Sequence, residues 1–255
     1  MQLIDTHTHL YLPEFDADRD EIVTRAVSNG VVKMLMPNID FGSVVPMLAA
    51  TRKYKDICHP MIGLHPTSVN HGYLAVLKQI SELANRDKYI AVGEIGIDLY
   101  WDKTFFKEQV LAFRQQVALA ISYRLPVVIH SRNSIKEVFS VLDEFSGETL
   151  TGVFHAFSGN IKDAIKAVGN GFKLGIGGPV TFKNSTLPDI VREIGLQNIV
   201  LETDSPYLAP VPFRGKRNES YYLCIINRKL AEIFGTGEEE VARITFENSC
   251  RLFNI

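Results

Sequence analysis

This chain has little with which to staple itself. Its three cysteines, Cys58, Cys224 and Cys250, are widely spaced, odd in number and form no CxxC pair. That argues against a disulfide framework and fits a reducing compartment. Long apolar runs are missing too, with nothing near the roughly twenty residues of a membrane-spanning helix. No basic, apolar leader opens the sequence, so the expectation is a cytoplasmic protein with no membrane contact. Charge of one sign is not in excess: Lys and Arg number 27 against 29 Asp and Glu, a net charge of −2. A protein that coats DNA non-specifically is more basic than this, so any nucleic-acid contact must come from a local patch. Internal repeats, low-complexity tracts and Pro-rich linkers are also absent, which favours one domain over residues 1–255.

What is present is an ordinary globular mixture, 46% hydrophobic and 22% charged over 255 residues, enough to bury a large core without covalent help. Short apolar runs alternate with longer helical patterns. Strands are expected at 3–9, 31–39, 60–66, 89–98, 126–131, 151–157, 172–178 and 198–204, with helices between them. One helix is expected at 17–29 and another at 104–124, where Phe106, Val110, Phe113, Val117 and Ile121 recur at helical spacing. Eight β–α units in about 250 residues predict an α/β fold of the (β/α)₈ TIM-barrel type, with right-handed crossovers and a functional site at the C-terminal rim of the strands.

The histidines follow that rim. DTHTH at 5–9 places His7 and His9 at the end of the first strand, and alternation puts them on one face with Asp5. His65 closes the third strand, Glu94 and Asp98 lie on the fourth, His130 and Arg132 end the fifth, His155 ends the sixth and Asp204 the eighth. Five of the seven histidines thus stand at strand ends, leaving only His59 and His71 elsewhere. Burying imidazoles and carboxylates together is costly unless they pair or hold a metal. The expected arrangement is two divalent ions bridged by Glu94. His7, His9, Glu94 and Asp204 would serve one, and Glu94, His130 and His155 the other. Asp5 and Glu202, one layer deeper, are expected to orient ligands. Asp98 is expected to shape a loop or pair with Arg132.

The motifs HTHL, GLHP, GEIGID, PVVIHSR, HAFSG and LETDSPYLAP occur in this order across nearly the whole chain. Together they resemble the TatD family of metal-dependent hydrolases, within the amidohydrolase-like superfamily of TIM barrels. The resemblance implies divalent-metal hydrolysis and deoxyribonuclease activity of the 3′-to-5′ exonuclease kind. It implies metal ligands at His7, His9, Glu94, His130, His155 and Asp204, and a phosphate or substrate contact at His65. Two departures stand in the last loop. Phe213 occupies a place where the family often has histidine, and Glu219-Ser220 replaces an expected proline after Asn218.

Bound divalent ions make water nucleophilic near neutral pH and stabilise charge on a phosphorane-like transition state. Asp204 is the candidate general base and Glu94 the group whose loss loosens both ions. Arg132, Lys183, Arg214, Lys216 and Arg217 follow strands and are candidates to meet phosphates, while Tyr100, Trp101 and Tyr207 are candidates to stack bases of single-stranded DNA or DNA ends. No obligate protein partner is implied. Ion identity stays open among Mg, Mn, Zn and similar ions: four histidines favour a transition metal, the resemblance magnesium. A metal-dependent amidase, lactonase or aminoacyl-ester hydrolase on the same barrel is the alternative, and a non-catalytic metal-binding scaffold a third reading.

Overall fold

A computed structural model describes residues 1–255. Eight strands run in chain order: β1 (Leu3–Asp5), β2 (Val31–Pro37), β3 (Cys58–Met61), β4 (Val92–Asp98), β5 (Val127–Arg132), β6 (Gly152–Phe154), β7 (Phe172–Ile176) and β8 (Ile199–Leu201). Every pairing is parallel and joins sequence neighbours, in arcs β1-β2-β3 and β4 to β8. Parallel bridges at Ile62–Val92 and Thr8–Ser205 join the arcs into a ring. Thr6 N–H donates to Leu201 O at 3.0 Å and Gly93 N–H to Ile62 O at 2.9 Å across the same seams. The expected (β/α)₈ barrel is therefore what the chain forms.

Several strands are shorter than their apolar runs suggest. β1 stops at Asp5, so His7 and His9 lie on extended chain beyond it; His7 O accepts from Asp204 N–H and His9 N–H donates to Ser205 O, each at 2.8 Å. Polar residues at strand ends bond to one another and to the next loop, ending the regular ladder. The intervening helices are α1 (Arg19–Ser28), α2 (Phe41–Lys53), α3 (Tyr73–Arg86), α4 (Phe106–Tyr123), α5 (Ile135–Asp143), α6 (Ile161–Gly169) and α7 (Leu187–Ile194). Side-chain capping boxes start two of them, Asp40 with Ser43 on α2 and Asn160 with Asp163 on α6.

After β8 the count exceeds one helix per strand. A long loop leads to α8 (Leu223–Phe234), and α9 (Glu238–Phe253) follows a turn at Gly235, whose φ of 63° suits glycine. The last residue of α9, Phe253, packs with Ile4, Leu35, Met61, Ala91, Val128, Val153 and Val200. Residues from so many strands meet only inside a barrel, so Phe253 seals its interior. A larger cluster fills the layer between strands and helices.

The buried face of α4 is rotated from the expected stripe. Gln109, Ala112, Phe113, Gln116, Val117 and Ala120 are buried, while Phe106, Val110 and Ile121 pack at the margin. The two glutamines serve the barrel backbone. Gln116 Oε1 accepts from Leu64 N–H at 2.7 Å, and Gln109 Oε1 accepts from Asp98 N–H at 2.8 Å. These bonds fix the loop before His65 and the end of the strand that carries Glu94. Replacing Gln116 with Leu strands the Leu64 amide in an apolar layer. We expect a loss of about 1–3 kcal/mol in urea unfolding; a variant as stable as the wild type would remove this role.

Candidate metal centre

Glu94 lies near the middle of β4, between Gly93 and Gly96, where the pairing with β5 shifts register. Such an irregularity re-aims a side chain, here into the barrel mouth. Gly96 has φ of +146°, and a Cβ there would clash with the His130 carbonyl. Glycine thus lets β4 and β5 approach closely enough to bring His130 against Glu94.

Around Glu94 the strand ends converge. On one edge, His7 Nε2 lies 3.1 Å from Glu94 Oε2 and 3.3 Å from His9 Nε2. Asp204 Oδ1 is 3.5 Å from His9 Nε2 and 3.7 Å from His155 Nε2. On the other edge, His130 Nδ1 lies 2.9 Å and His65 Nε2 3.3 Å from Glu94 Oε1, and the two rings are 3.3 Å apart through those nitrogens. His65 also belongs to this cluster. His65 stands closer to Glu94 Oε1 than His155, whose Nε2 is 3.8 Å away. The reason is the ring stack of His155 on His7, centroids 3.4 Å apart, with Glu202 Oε1 at 3.1 Å from His155 Nδ1 on the far side. Asp204 adopts a left-handed φ of 57° that few residues other than Asn, Asp and Gly tolerate, and its amide bond to His7 O holds it there.

Neighbouring groups set which ring nitrogen is free. Tyr11 Oη donates to Pro37 O at 2.8 Å, so it accepts from His9 Nδ1–H at 3.1 Å. His9 Nε2 is left with a lone pair facing the cluster, the tautomer a metal ligand needs. His155 turns Nδ1 to Glu202. His65 is the reverse of His9. Its Nδ1 accepts from Thr67 N–H at 3.2 Å, so a neutral His65 carries its proton on Nε2 and presents a donor. His130 turns Nδ1 to Glu94 and Nε2 to Asp98 Oδ2 at 2.8 Å. Asp98 therefore pairs with His130 rather than Arg132, and it also shapes the next loop by accepting from Tyr100 and Trp101 amides.

Burial opposes the charge on Glu94, yet the imidazoles of His65, His7 and His155 hold its carboxyl well below the usual range. Burial likewise opposes ionisation of Asp204, and His155 and His9 outweigh it. His155 is pushed up to about 10: burial disfavours its cation, but Glu202, Glu94 and Asp204 more than compensate. Burial lowers His7, aided by the charge of His155. Burial opposes the cation of His130 as well, and its bonds to Asp98 and Glu94 outweigh that. The atoms gathered here are all nitrogen or oxygen, no Lys or Arg enters among them, and His7 Nδ1 is buried without a hydrogen-bond partner. This donor set fits divalent cations, which would supply the missing positive charge.

The cluster floors a cavity of about 870 Å³ lined also by Trp101, Arg132, Phe157, Leu187 and Tyr207. Of the expected phosphate contacts, His65 and Arg132 line it. Arg214 and Lys216 are exposed outside its wall, Arg214 lying 4.4 Å over the Phe182 ring. Arg217 forms an ion pair with Asp18. Both departures in the last loop have structural partners: Phe213 stacks on Tyr222 at 4.4 Å, and Glu219 pairs with Arg25 at 2.6 Å. Asp5, expected to orient a histidine, accepts from Thr203 N–H at 2.9 Å and so holds the loop of Asp204. Sequence reasoning missed Tyr11 and Thr67. Tyr11 continues the alternation of residues 5, 7 and 9 and was open to detection; Thr67 had no such signal.

A closed parallel barrel with histidines and carboxylates gathered on one glutamate at the strand C-termini is the architecture of a metal-dependent hydrolase. The family model described as TatD related DNase matches residues 4–254. The metal-dependent hydrolase YabD of Bacillus subtilis is 37% identical over 254 residues, covering 99% of both chains. The 3′-5′ ssDNA/RNA exonuclease TatD of Pectobacterium parmentieri is 29% identical, covering 99% of this chain and all of its own. The crystal structure of YjjV, a TatD homologue from Escherichia coli, superposes with a TM-score of 0.93 at 31% identity over 99% of this chain and 98% of that one. The chain belongs to the TatD family of metal-dependent hydrolases.

Because Tyr11 fixes the His9 tautomer, Tyr11→Phe should weaken binding of Mn²⁺ or Zn²⁺ about tenfold in calorimetric titration. Unchanged affinity would show that the phenol does not control the ligand.

Proposed function

We propose that this chain is a divalent-metal-dependent deoxyribonuclease that hydrolyses phosphodiester bonds from the 3′ end of single-stranded DNA. The observation that carries the reading is the convergence of six nitrogen- or oxygen-bearing side chains on Glu94 at the floor of a cavity large enough for a nucleotide. Similarity to a relative named as a 3′-5′ exonuclease supports the same substrate class. No helix is long and apolar enough to cross a membrane, and the reading needs none.

His7, His9, Glu94 and Asp204 would hold one ion, and Glu94, His130 and His155 a second. When bound, such ions activate water and neutralise phosphate charge. The remaining chemistry falls to the chain. Asp204 takes the water proton, because its side chain is 16% exposed against 4% for Glu94 and so faces the open cavity. His65 donates its Nε2 proton in a hydrogen bond to a phosphoryl oxygen, held in that tautomer by Thr67. Arg132 adds positive charge at the wall, and Arg214 and Lys216 would meet only nucleotides beyond the cavity. The carbonyl-hydrolase alternative calls for a small apolar pocket, whereas this one is wide and has a polar floor.

The test is hydrolysis of an end-labelled single strand by stripped protein with Mg²⁺, Mn²⁺ or Zn²⁺ restored. A metal-dependent ladder shortening from the 3′ end is expected. Glu94→Ala and Asp204→Asn should each lower the rate about a thousandfold with thermal unfolding still cooperative. Full activity in either variant would sink the assignment, and inertness with every ion would turn the search to esters and amides.

A further inference from the structure

One wall of the cavity carries a feature that the hydrolytic roles above do not use. Trp101 is the chain's single tryptophan, lines the cavity and is 69% exposed; its neighbour Tyr100 is 53% exposed. Their rings meet edge to face, centroids 4.9 Å apart at 88°. The Arg132 guanidinium lies 3.8 Å from the Tyr100 ring and 5.2 Å from that of Trp101. An aromatic that merely packs its loop would be covered. Here a large apolar plane is left in water, next to a cation, at the mouth of the candidate site.

The position of this pair is fixed from below. Asp98 Oδ1 accepts from Tyr100 N–H at 2.9 Å and Trp101 N–H at 3.2 Å, while its Oδ2 meets His130 Nε2 at 2.8 Å. One buried carboxylate therefore ties the aromatic loop to the cluster around Glu94. Swinging the loop away would cost Asp98 Oδ1 both of its amide donors.

We infer that Trp101, backed by Tyr100 and Arg132, is the stacking platform for an unpaired nucleobase of the strand whose phosphate reaches the Glu94 cluster. The inference rests on the phosphodiesterase reading and adds how the strand is held. Every base has a π-face, so stacking tolerates sequence, but a base inside a duplex has both faces covered. Only single-stranded or frayed DNA would offer one. Arg132, planar and delocalised, suits a place between an aromatic ring and a phosphate. Selection for single strands then resides in Trp101 rather than in hydrogen bonds to base edges.

The lone tryptophan supplies its own reporter. Metal-loaded wild-type protein is titrated with a phosphorothioate-linked oligothymidylate and with the same backbone lacking bases, and tryptophan emission is read. Quenching by the base-bearing strand and little by the abasic one is expected. By anisotropy of labelled strands, Trp101→Ala should bind the base-bearing strand about tenfold more weakly, and Trp101→Phe should recover most of the loss. Discrimination between base-bearing and abasic strands should vanish in Trp101→Ala. Equal quenching by both strands, or binding by Trp101→Ala within twofold of wild type, would overturn the platform. Hydrolysis of ordinary phosphodiester strands, with and without bases, separates the two ideas. Cleavage of both at equal rates, with equal quenching, keeps the hydrolase and removes the platform. Base-dependent quenching without any cleavage keeps the platform and removes the hydrolase.

Discussion

A carboxylate taken out of water must be met by positive charge or hydrogen bonds, and in this barrel that requirement falls on Glu94. Its side chain is almost fully buried, and no Lys or Arg reaches it. Imidazoles do so from both edges, His7 at 3.1 Å from one oxygen and His130 at 2.9 Å from the other. Three rings of the cluster are held by something deeper: His9 by Tyr11, His155 by Glu202 and His130 by Asp98. Removing charge from the centre without replacing it leaves this shell of partners mismatched, which is why a divalent cation suits the arrangement better than protons do.

The barrel makes this possible because the parallel strands all end at the same rim. Eight short strands deliver their first irregular residues to one place, and the loops that follow need only short reach. The irregular pairing at Gly93–Ile95 matters as much as the regular ladder, since it turns Glu94 into the barrel mouth. At the opposite end Phe253 fills the interior, so the rim is open on one side only. The rigid floor and the more exposed wall of Tyr100, Trp101 and Arg132 divide the work between chemistry and strand binding, and Asp98 belongs to both.

Much of this was legible in the residues. Alternation of apolar runs with helical patterns gave the barrel, and histidines at run ends gave the side chains that converge on Glu94. Some of what was missed consists of polar residues that act through backbone atoms distant in sequence. Gln109 and Gln116 lie on the buried face of α4, and their partners, Asp98 and Leu64, are visible only in three dimensions. The stack of His155 on His7, with Glu202 beside its far nitrogen, is likewise tertiary. The second C-terminal helix went uncounted because the β–α repeat gives no reason for one. Phe213 and Glu219, the departures in the last loop, have packing and ion-pair partners within the chain.

The most direct measurement is anomalous diffraction at the manganese edge from crystals of the Mn²⁺-loaded protein. The account predicts two peaks, each touching one oxygen of Glu94. One would lie among His7, His9 and Asp204, the other beside His130 and His155. A single peak clear of Glu94, or ions bound only at surface carboxylates, would contradict it.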